Sequence, residues 1–410
     1  MADKLEPSHF SLDFAIRPAV LNAPTYATTT SDQVSKRPAV VLDANENPEG
    51  NCLARPRWLS RCLPFLRPFG VTLDSLKRYP SSSQRDLKTN IARWRQLDGI
   101  ESVCLGSGAS DVLDLILRAT CTPNQDKVLV VPPTFDLYKV RAKFYDIGVV
   151  ECPLEFQDGD FVMPTDKICD TLASDQDIKL AIIASPGNPA GSLIPLGDIQ
   201  RILDSPSFHG LLVIDEAYID FTASPEASSA ISLLRSYSNL VVVQSLSKAH
   251  GLAGIRVGMA FAHPIVTAMF CKLQMPYGIS APVLALATKA LSRKNVSRVN
   301  TLVNRVKTNR AALVDALSDE NFRQLGVGPL VGGNQANYVV VPILSLGKEM
   351  ARRDDDRARA IAARLREVHG VGVRYVGHAT HCEACLRVSV GTAREQKVFL
   401  KAFEEVLLVV

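Results

Sequence analysis

From about residue 84 the chain alternates between two hydrophobic periods. Gln84–Gln96 and Ser110–Thr120 space their apolar residues three and four apart, the pattern of an amphipathic helix. Lys127–Val131, Ile178–Ala184, Leu211–Ile214 and Leu240–Gln244 are instead short runs, apolar almost throughout and rich in β-branched residues. Such runs, separated by helix-length segments, predict strands buried on both faces and hence a mostly parallel sheet covered by helices. After it come a helix (Asn300–Leu317), a strand (Asn337–Val341), a helix (Asp356–Val368), a strand (Leu386–Val390) and a helix (Ala393–Leu408). The first forty residues show little periodicity and hold Pro18, Pro24 and a Thr28–Ser31 tract, so they read as an arm. The expected fold class is α/β: a large domain with a mostly parallel sheet flanked by helices, plus a smaller α+β domain. The expected division is 1–67 for the arm and part of the small domain, 68–303 for the large domain and 304–410 for the small C-terminal domain. The chain contains neither internal repeats nor low-complexity segments.

Composition bounds this picture without changing it. At roughly 150 residues per domain, 410 residues fit one large domain with a smaller partner. Lys and Arg total 46 against 42 Asp and Glu, a net charge of +4 with the signs interspersed, which excludes a nucleic-acid binder driven by bulk charge. With 47% hydrophobic and 21% charged residues, the chain is not disordered as a whole. No apolar run approaches the roughly 18 residues of a membrane span. The opening Met1-Ala-Asp-Lys-Leu-Glu-Pro7 has neither a secretory nor a mitochondrial pattern, and Leu407–Val410 carries no known address. Nine cysteines (Cys52, Cys62, Cys104, Cys121, Cys152, Cys169, Cys271, Cys382 and Cys385) are scattered through apolar stretches, the usage of reduced thiols in a cytoplasmic protein. His378, His381, Cys382 and Cys385 have metal-like spacing. No second cysteine pair completes a four-ligand set, so no metal is expected.

Open α/β sheets bind ligands at the carboxyl ends of their strands. Ser185-Pro-Gly-Asn-Pro-Ala-Gly191 follows one predicted strand, Asp215-Glu-Ala-Tyr218 a second, and Ser245-Leu-Ser-Lys-Ala-His-Gly251 a third. Gly106-Ser-Gly-Ala-Ser110 precedes a helix. Each has an ordinary reading. The glycine-rich stretch is a capped loop, Asp215 a turn cap, Asn188 a turn residue and Lys248 a solvated lysine. Together they make one inventory: a phosphate cradle at a helix start, an anion for a ring nitrogen, an amide for a ring oxygen and a lysine for an aldehyde. Pyridoxal 5'-phosphate needs these four parts.

On these motifs the chain resembles the fold-type I pyridoxal-phosphate aminotransferases, and within them the histidinol-phosphate aminotransferases of the fungal kind. The resemblance begins near residue 12. It rests on Leu42–Pro48 (LDANENP), Arg78-Tyr79-Pro80, Gly108–Asp111, Pro132–Phe135, SPGNPAG, VIDEAYIDF, SLSKAHGLAGIRVG and Cys385–Thr392, in that order. It implies that Lys248 binds the cofactor aldehyde and then moves protons, and that Asp215 pairs with the ring nitrogen. Asn188 and Tyr218 hold the ring oxygen, and Phe135 takes the stacking position, usually a tyrosine. Ala109, Ser110, Ser245, Ser247 and Arg256 hold the phosphate, joined by Tyr79 from the second subunit of a homodimer. Arg387 and Arg374 grip the substrate's anionic groups, with Tyr26 and Asn47 also on the substrate side. Small-molecule amines or amino acids and 2-oxo acids, 2-oxoglutarate among them, are the implied partners.

The departures fall on the substrate side. Ala27 and Thr30 stand where the fungal enzymes carry arginines, Gly278 where asparagine is usual, and Ala190 replaces the threonine of the turn after Asn188. Two other readings compete with a histidinol-phosphate enzyme. One is a paralogue of specialised metabolism acting on another amine, or a non-transaminating enzyme with the same cofactor. The other is a retired, cofactor-binding regulator, against which Lys248 and Asp215 together argue. A charge-assisted hydrogen bond is worth roughly 1.5–3 kcal/mol, so losing one or two arm arginines is expected to weaken phosphate binding by about tens to hundreds of fold. Activity with histidinol phosphate is therefore expected to be measurable but weak. Ala27→Arg with Thr30→Arg is expected to raise kcat/KM; a double variant that gains nothing removes the arm from the substrate site.

Overall fold

Every apolar run named above is a strand, in a computed structural model that describes residues 6–26, 44–47, 49, 52, 74–346 and 352–410. The arm positions Ala27 and Thr30, and Leu42, Asp43 and Pro48 of the LDANENP motif, lie outside the described residues. Among the described residues the strands are β1 (Val103–Gly106), β2 (Lys127–Val130), β3 (Gly148–Glu151), β4 (Glu155–Gln157), β5 (Asp160–Val162) and β6 (Ile178–Ala184). They continue with β7 (Leu211–Asp215), β8 (Leu240–Ser245), β9 (Gly258–Ala262), β10 (Tyr338–Pro342), β11 (Arg374–Tyr375) and β12 (Cys385–Ser389). Seven form a mostly parallel sheet in the order β1-β9-β8-β7-β6-β2-β3. Within it β3, β2, β6 and β7 run parallel, while β1 is antiparallel to β9. Every residue of β7 and β8 is buried, as strands covered on both faces must be.

The helices used below are α1 (Arg85–Arg95), α2 (Ala109–Thr120), α3 (Leu137–Phe144), α4 (Arg293–Leu317), α5 (Asp355–His369) and α6 (Ala393–Leu407). Helix α4 starts two turns before its predicted beginning at Asn300, because Arg293–Val299 is largely polar and shows no apolar stripe to read. Gln84 and Gln96, predicted as helical, are left-handed caps at the two ends of α1.

By packing, the chain falls into two units: residues 1–15, 121–242 and 300–410, and residues 16–120 and 243–299. The first contains the parallel strands β2, β3, β6 and β7, the β4-β5 hairpin, and an antiparallel sheet in the order β10-β12-β11. On that antiparallel sheet Val339, Val341, Leu386 and Val388 share a core with Leu313 and Leu317 of α4, Ile361 and Leu365 of α5, and Phe399 and Phe403 of α6. The second unit holds the β1-β9 pair under α2, whose Val112, Leu113, Leu115, Ile116 and Leu117 are all buried. There the early chain is fixed by backbone: the Arg17 N–H donates to the Ala119 carbonyl at 2.9 Å, and Lys272 Nζ donates to Val20 and Leu21.

One buried cation staples the C-terminal core. Arg357 is 6% exposed and donates to the carbonyls of Leu344, Leu325 and Leu407 at 2.8, 3.0 and 3.2 Å. Replacing it by an apolar side chain takes the donor from three carbonyls, one of them fully buried and two partly so. Arg357→Leu is expected to destabilise the protein by about 3 kcal/mol, read as a lower urea midpoint.

Candidate active site

In the first unit β6 and β7 end in register, with Ala184 opposite Asp215 and the Ser185 N–H donating to the Asp215 carbonyl at 2.9 Å. That register brings the Ser185–Gly191 loop and the Asp215 carboxylate together at the carboxyl ends of two adjacent interior strands. Asp215 is 7% exposed. Its Oδ2 accepts the Tyr138 phenol at 2.6 Å and its Oδ1 the Ala217 N–H at 3.1 Å. Burial, and then the charge of Asp215, hold the Tyr138 phenol well above the usual tyrosine range, so it stays a donor at neutral pH. Phe135 lies edge-on to Tyr138, with centroids 5.8 Å apart, and keeps 37% of its surface exposed. A partly open ring beside a buried carboxylate suits stacking on a planar ligand.

Tyr218 follows Asp215 by three residues. Burial pushes its phenol up to about 12, with the Arg387 charge opposing and the Asp215 charge adding, so it too stays protonated. Its ring stands edge-on to Tyr338 at 5.4 Å. Asn188 accepts from Arg387 Nη1 through Oδ1, which leaves its amide NH2 to donate elsewhere. Arg387 lies directly opposite Arg374 in the β11-β12 pairing, so two cations share one face of that sheet. Like charges in that arrangement cost stability. An anion bound between them would offset the cost.

The second unit supplies the other half of the predicted set. Asp111 Oδ2 accepts the Ser107 N–H at 2.8 Å and closes the turn that opens α2. Gly108 has φ +87°, and a Cβ there would meet Arg256 Nη2 at 2.3 Å. A Cβ on Gly258 would meet the Ala109 nitrogen at 2.3 Å. Only glycine fits either place, and the fit packs the Arg256 guanidinium against the start of a helix of 12 residues. Arg256 also lies 3.5 Å from Ser247 Oγ, and the Ser247 N–H donates to Ser245 Oγ at 3.3 Å. The first-turn N–H groups at Ala109 and Ser110, the two serines and Arg256 form a donor-rich, cationic cradle of the kind that holds a phosphate. Lys248 sits exposed on the turn after β8, its carbonyl accepting the Gly251 N–H at 3.0 Å.

Three further predicted residues lie at the surface of this unit. Tyr79 is 53% exposed and stacks on Tyr277, with centroids 4.7 Å apart. Glu46 fixes it, accepting the Tyr79 N–H at 2.6 Å through one oxygen and Arg78 through the other. Asn47 is exposed and accepts the Glu49 N–H at 3.1 Å, a local turn. Tyr26 is 68% exposed.

Sequence reading missed Tyr138, Tyr338 and Glu46. Tyr138 sits one turn beyond Phe135 on the same segment, a spacing that could have raised it. Tyr338 lies inside an apolar strand run and reads as core. At the Cys-x-x-Cys, burial pushes Cys382 and Cys385 up to about 12, and Arg353 Nη1 reaches Cys385 Sγ at 3.4 Å. Among the described residues no three His, Cys, Asp or Glu side chains gather as metal ligands would.

Residues 39–403 match the sequence model of the family "Aminotransferase class I and II". The chain is 33% identical over 405 residues to a histidinol-phosphate aminotransferase of Schizosaccharomyces pombe, covering 97% of this chain and 98% of that protein. It is 32% identical over 410 residues to the enzyme of the same name from Saccharomyces cerevisiae, again covering 97% and 98%. In fold it is similar to a histidinol-phosphate aminotransferase from Sinorhizobium meliloti in complex with pyridoxal-5'-phosphate: TM-score 0.69, 22% identity, 89% of this chain and 90% of that one.

The cradle makes a sharp test. Gly108→Ala is expected to displace Arg256 and weaken binding of a phosphate monoester about ten-fold or more, measured by equilibrium dialysis. Gly197→Ala, where a Cβ would meet nothing within 4 Å, is expected to change nothing. Equal affinities in the two variants would place the phosphate elsewhere.

Proposed function

The chain belongs to the class I and II aminotransferases, and from that premise we propose that it is a pyridoxal-phosphate-dependent histidinol-phosphate aminotransferase with 2-oxoglutarate as amino acceptor. The observation that carries the reading is Asp215, 7% exposed and fixed by the Tyr138 phenol at 2.6 Å. A buried carboxylate held by a neutral donor fits a cationic ring nitrogen. In the other unit the glycine-lined cradle around Arg256 fits a phosphate, so each unit holds residues that suit one part of the cofactor.

When bound, pyridoxal phosphate supplies an aldehyde that links to an amine and a cationic ring that takes up the electron pair left at the substrate α-carbon. The chain supplies the rest. Lys248 would hold the aldehyde carbon, and its amine would then carry the proton removed from the substrate α-carbon. Asp215 would keep the ring nitrogen protonated, which makes the ring an electron acceptor. The Asn188 amide and the Tyr218 phenol would donate to the ring oxygen, and Phe135 would stack on the ring. Ala109, Ser110, Ser245, Ser247 and Arg256 would hold the phosphate, with Tyr79 contributed across a homodimer. Arg387 and Arg374 would take the carboxylates of 2-oxoglutarate and the phosphate of histidinol phosphate in turn, with Tyr26 and Asn47 bordering the substrate.

The cofactor would belong to residues 68–303 and part of the substrate contacts to 1–67 and 304–410. A cytoplasmic homodimer is the assembly this reading supports. Among the described residues no helix is long and apolar enough to cross a membrane.

Borohydride reduction of the loaded protein, followed by peptide mapping, is expected to fix the cofactor on Lys248. Label on another lysine overturns the assignment. Histidinol phosphate is expected to change the visible absorbance of the bound cofactor, and an unchanged spectrum rejects it as substrate. Asp215→Asn is expected to retain the cofactor yet lose turnover by at least a hundred-fold, since an amide does not hold the ring nitrogen protonated.

A further inference from the structure

Tyr338 touches two residues already given roles and the backbone next to a third, yet has none itself. It is 3% exposed on β10. In the β10-β12 pairing Tyr338 faces Ser389 and Val340 faces Arg387, so Tyr338 and Arg387 are diagonal neighbours on one sheet face. The Arg387 guanidinium lies 5.3 Å from the Tyr338 ring centroid. The Tyr338 hydroxyl donates to the carbonyl of Gly187, the residue before Asn188. The Tyr218 ring stands edge-on to it at 5.4 Å.

We propose that Tyr338 is a positioning residue that locks Arg387 and the Asn188 loop into one rigid group and thereby presents a single edge of Arg387 to a planar carboxylate. Arg387 is restrained twice: Nη1 donates to Asn188 Oδ1, and one guanidinium face packs toward the ring. Its Nε is buried and has no hydrogen-bond partner. A buried N–H left unpaired is unfavourable. The Nη2 group, on the side not taken by Asn188, keeps its N–H donors for a carboxylate oxygen. A ring under the guanidinium keeps that group in one plane, and cation–π attraction holds it there. The hydroxyl has a different task, tying the loop that carries Asn188. The inference rests on the aminotransferase reading for the nature of the ligand, a dicarboxylate amino acceptor.

Two variants separate the tasks. Tyr338→Leu removes ring and hydroxyl; Tyr338→Phe keeps the ring. Titration of the full-length, cofactor-loaded protein with maleate, an unreactive dicarboxylate, is followed by calorimetry. Tyr338→Leu is expected to weaken maleate about ten-fold and to raise KM for 2-oxoglutarate by a similar factor, with kcat changed less than about three-fold. Tyr338→Phe is expected to bind maleate within about two-fold of wild type, while the visible absorbance of its cofactor shifts as the Asn188 loop loosens. If Tyr338→Leu does not unfold cooperatively, a pentafluorinated phenyl ring at position 338 replaces it, with the same loss of maleate affinity expected at nearly constant shape. Maleate binding as tight as wild type in the leucine or fluorinated variant overturns the proposal, as does a wild type that binds no maleate. Failure of the aminotransferase reading shows elsewhere, as a wild type that binds maleate through Tyr338 but takes no label on Lys248.

Discussion

The parallel register of β6 and β7 is the constraint on which the first unit's chemistry depends. With Ala184 opposite Asp215, the two strands end together, and the Ser185 N–H is pinned to the Asp215 carbonyl. A slip of one residue would turn the Asp215 side chain to the opposite face of the sheet. It would also carry Asn188 and Tyr218, on the loops that follow, out of step with each other. Strand β2 pairs with β6 as far as Val130 opposite Ile182, which delivers Phe135 and Tyr138 from the next segment toward the same carboxylate. No part of this arrangement needs a long-range ion pair. It follows from buried apolar strands whose register is fixed by the helices on both faces.

The antiparallel sheet acts by the same logic at shorter range. Register places Arg374 opposite Arg387, and pleat puts Tyr338 diagonal to it. One hydrogen bond from Arg387 to Asn188 then links the arginines proposed for the substrate to the loop of the amide proposed for the cofactor. A buried tyrosine beside a charged side chain recurs: Tyr138 at Asp215, Tyr338 at Arg387. Burial holds both phenols well above their ordinary range, so neither competes for a proton.

Much of this was legible in the chain, and the gaps have physical causes. The strands Ile178–Ala184 and Leu211–Ile214 were readable because a parallel, two-faced burial leaves an unbroken apolar run. The functional loops were readable because turn residues and charges interrupt those runs abruptly. Strand β9 was not, since its Gly-Met-Ala-Phe-Ala sequence follows a glycine-rich loop with no boundary signal. The start of α4 was hidden by polarity on all sides. The motif assigned Arg387 a role but gave no sign that Asn188 holds it, because a side-chain pair 199 residues apart leaves no local trace. Tyr338 was invisible for the opposite reason: inside a strand, a working aromatic and a packing aromatic look alike.

Strand register starts two arginine side chains from directly opposite positions whether or not a substrate is present. An anion from the medium would be drawn to such a pair in the way a counter-ion is drawn to an ion exchanger. Occupancy by phosphate or sulfate would raise the melting temperature by mass action, since the unfolded chain has no such paired cations. The same occupancy would compete with substrate. Buffer composition would then trade heat resistance against turnover at this one face of the sheet.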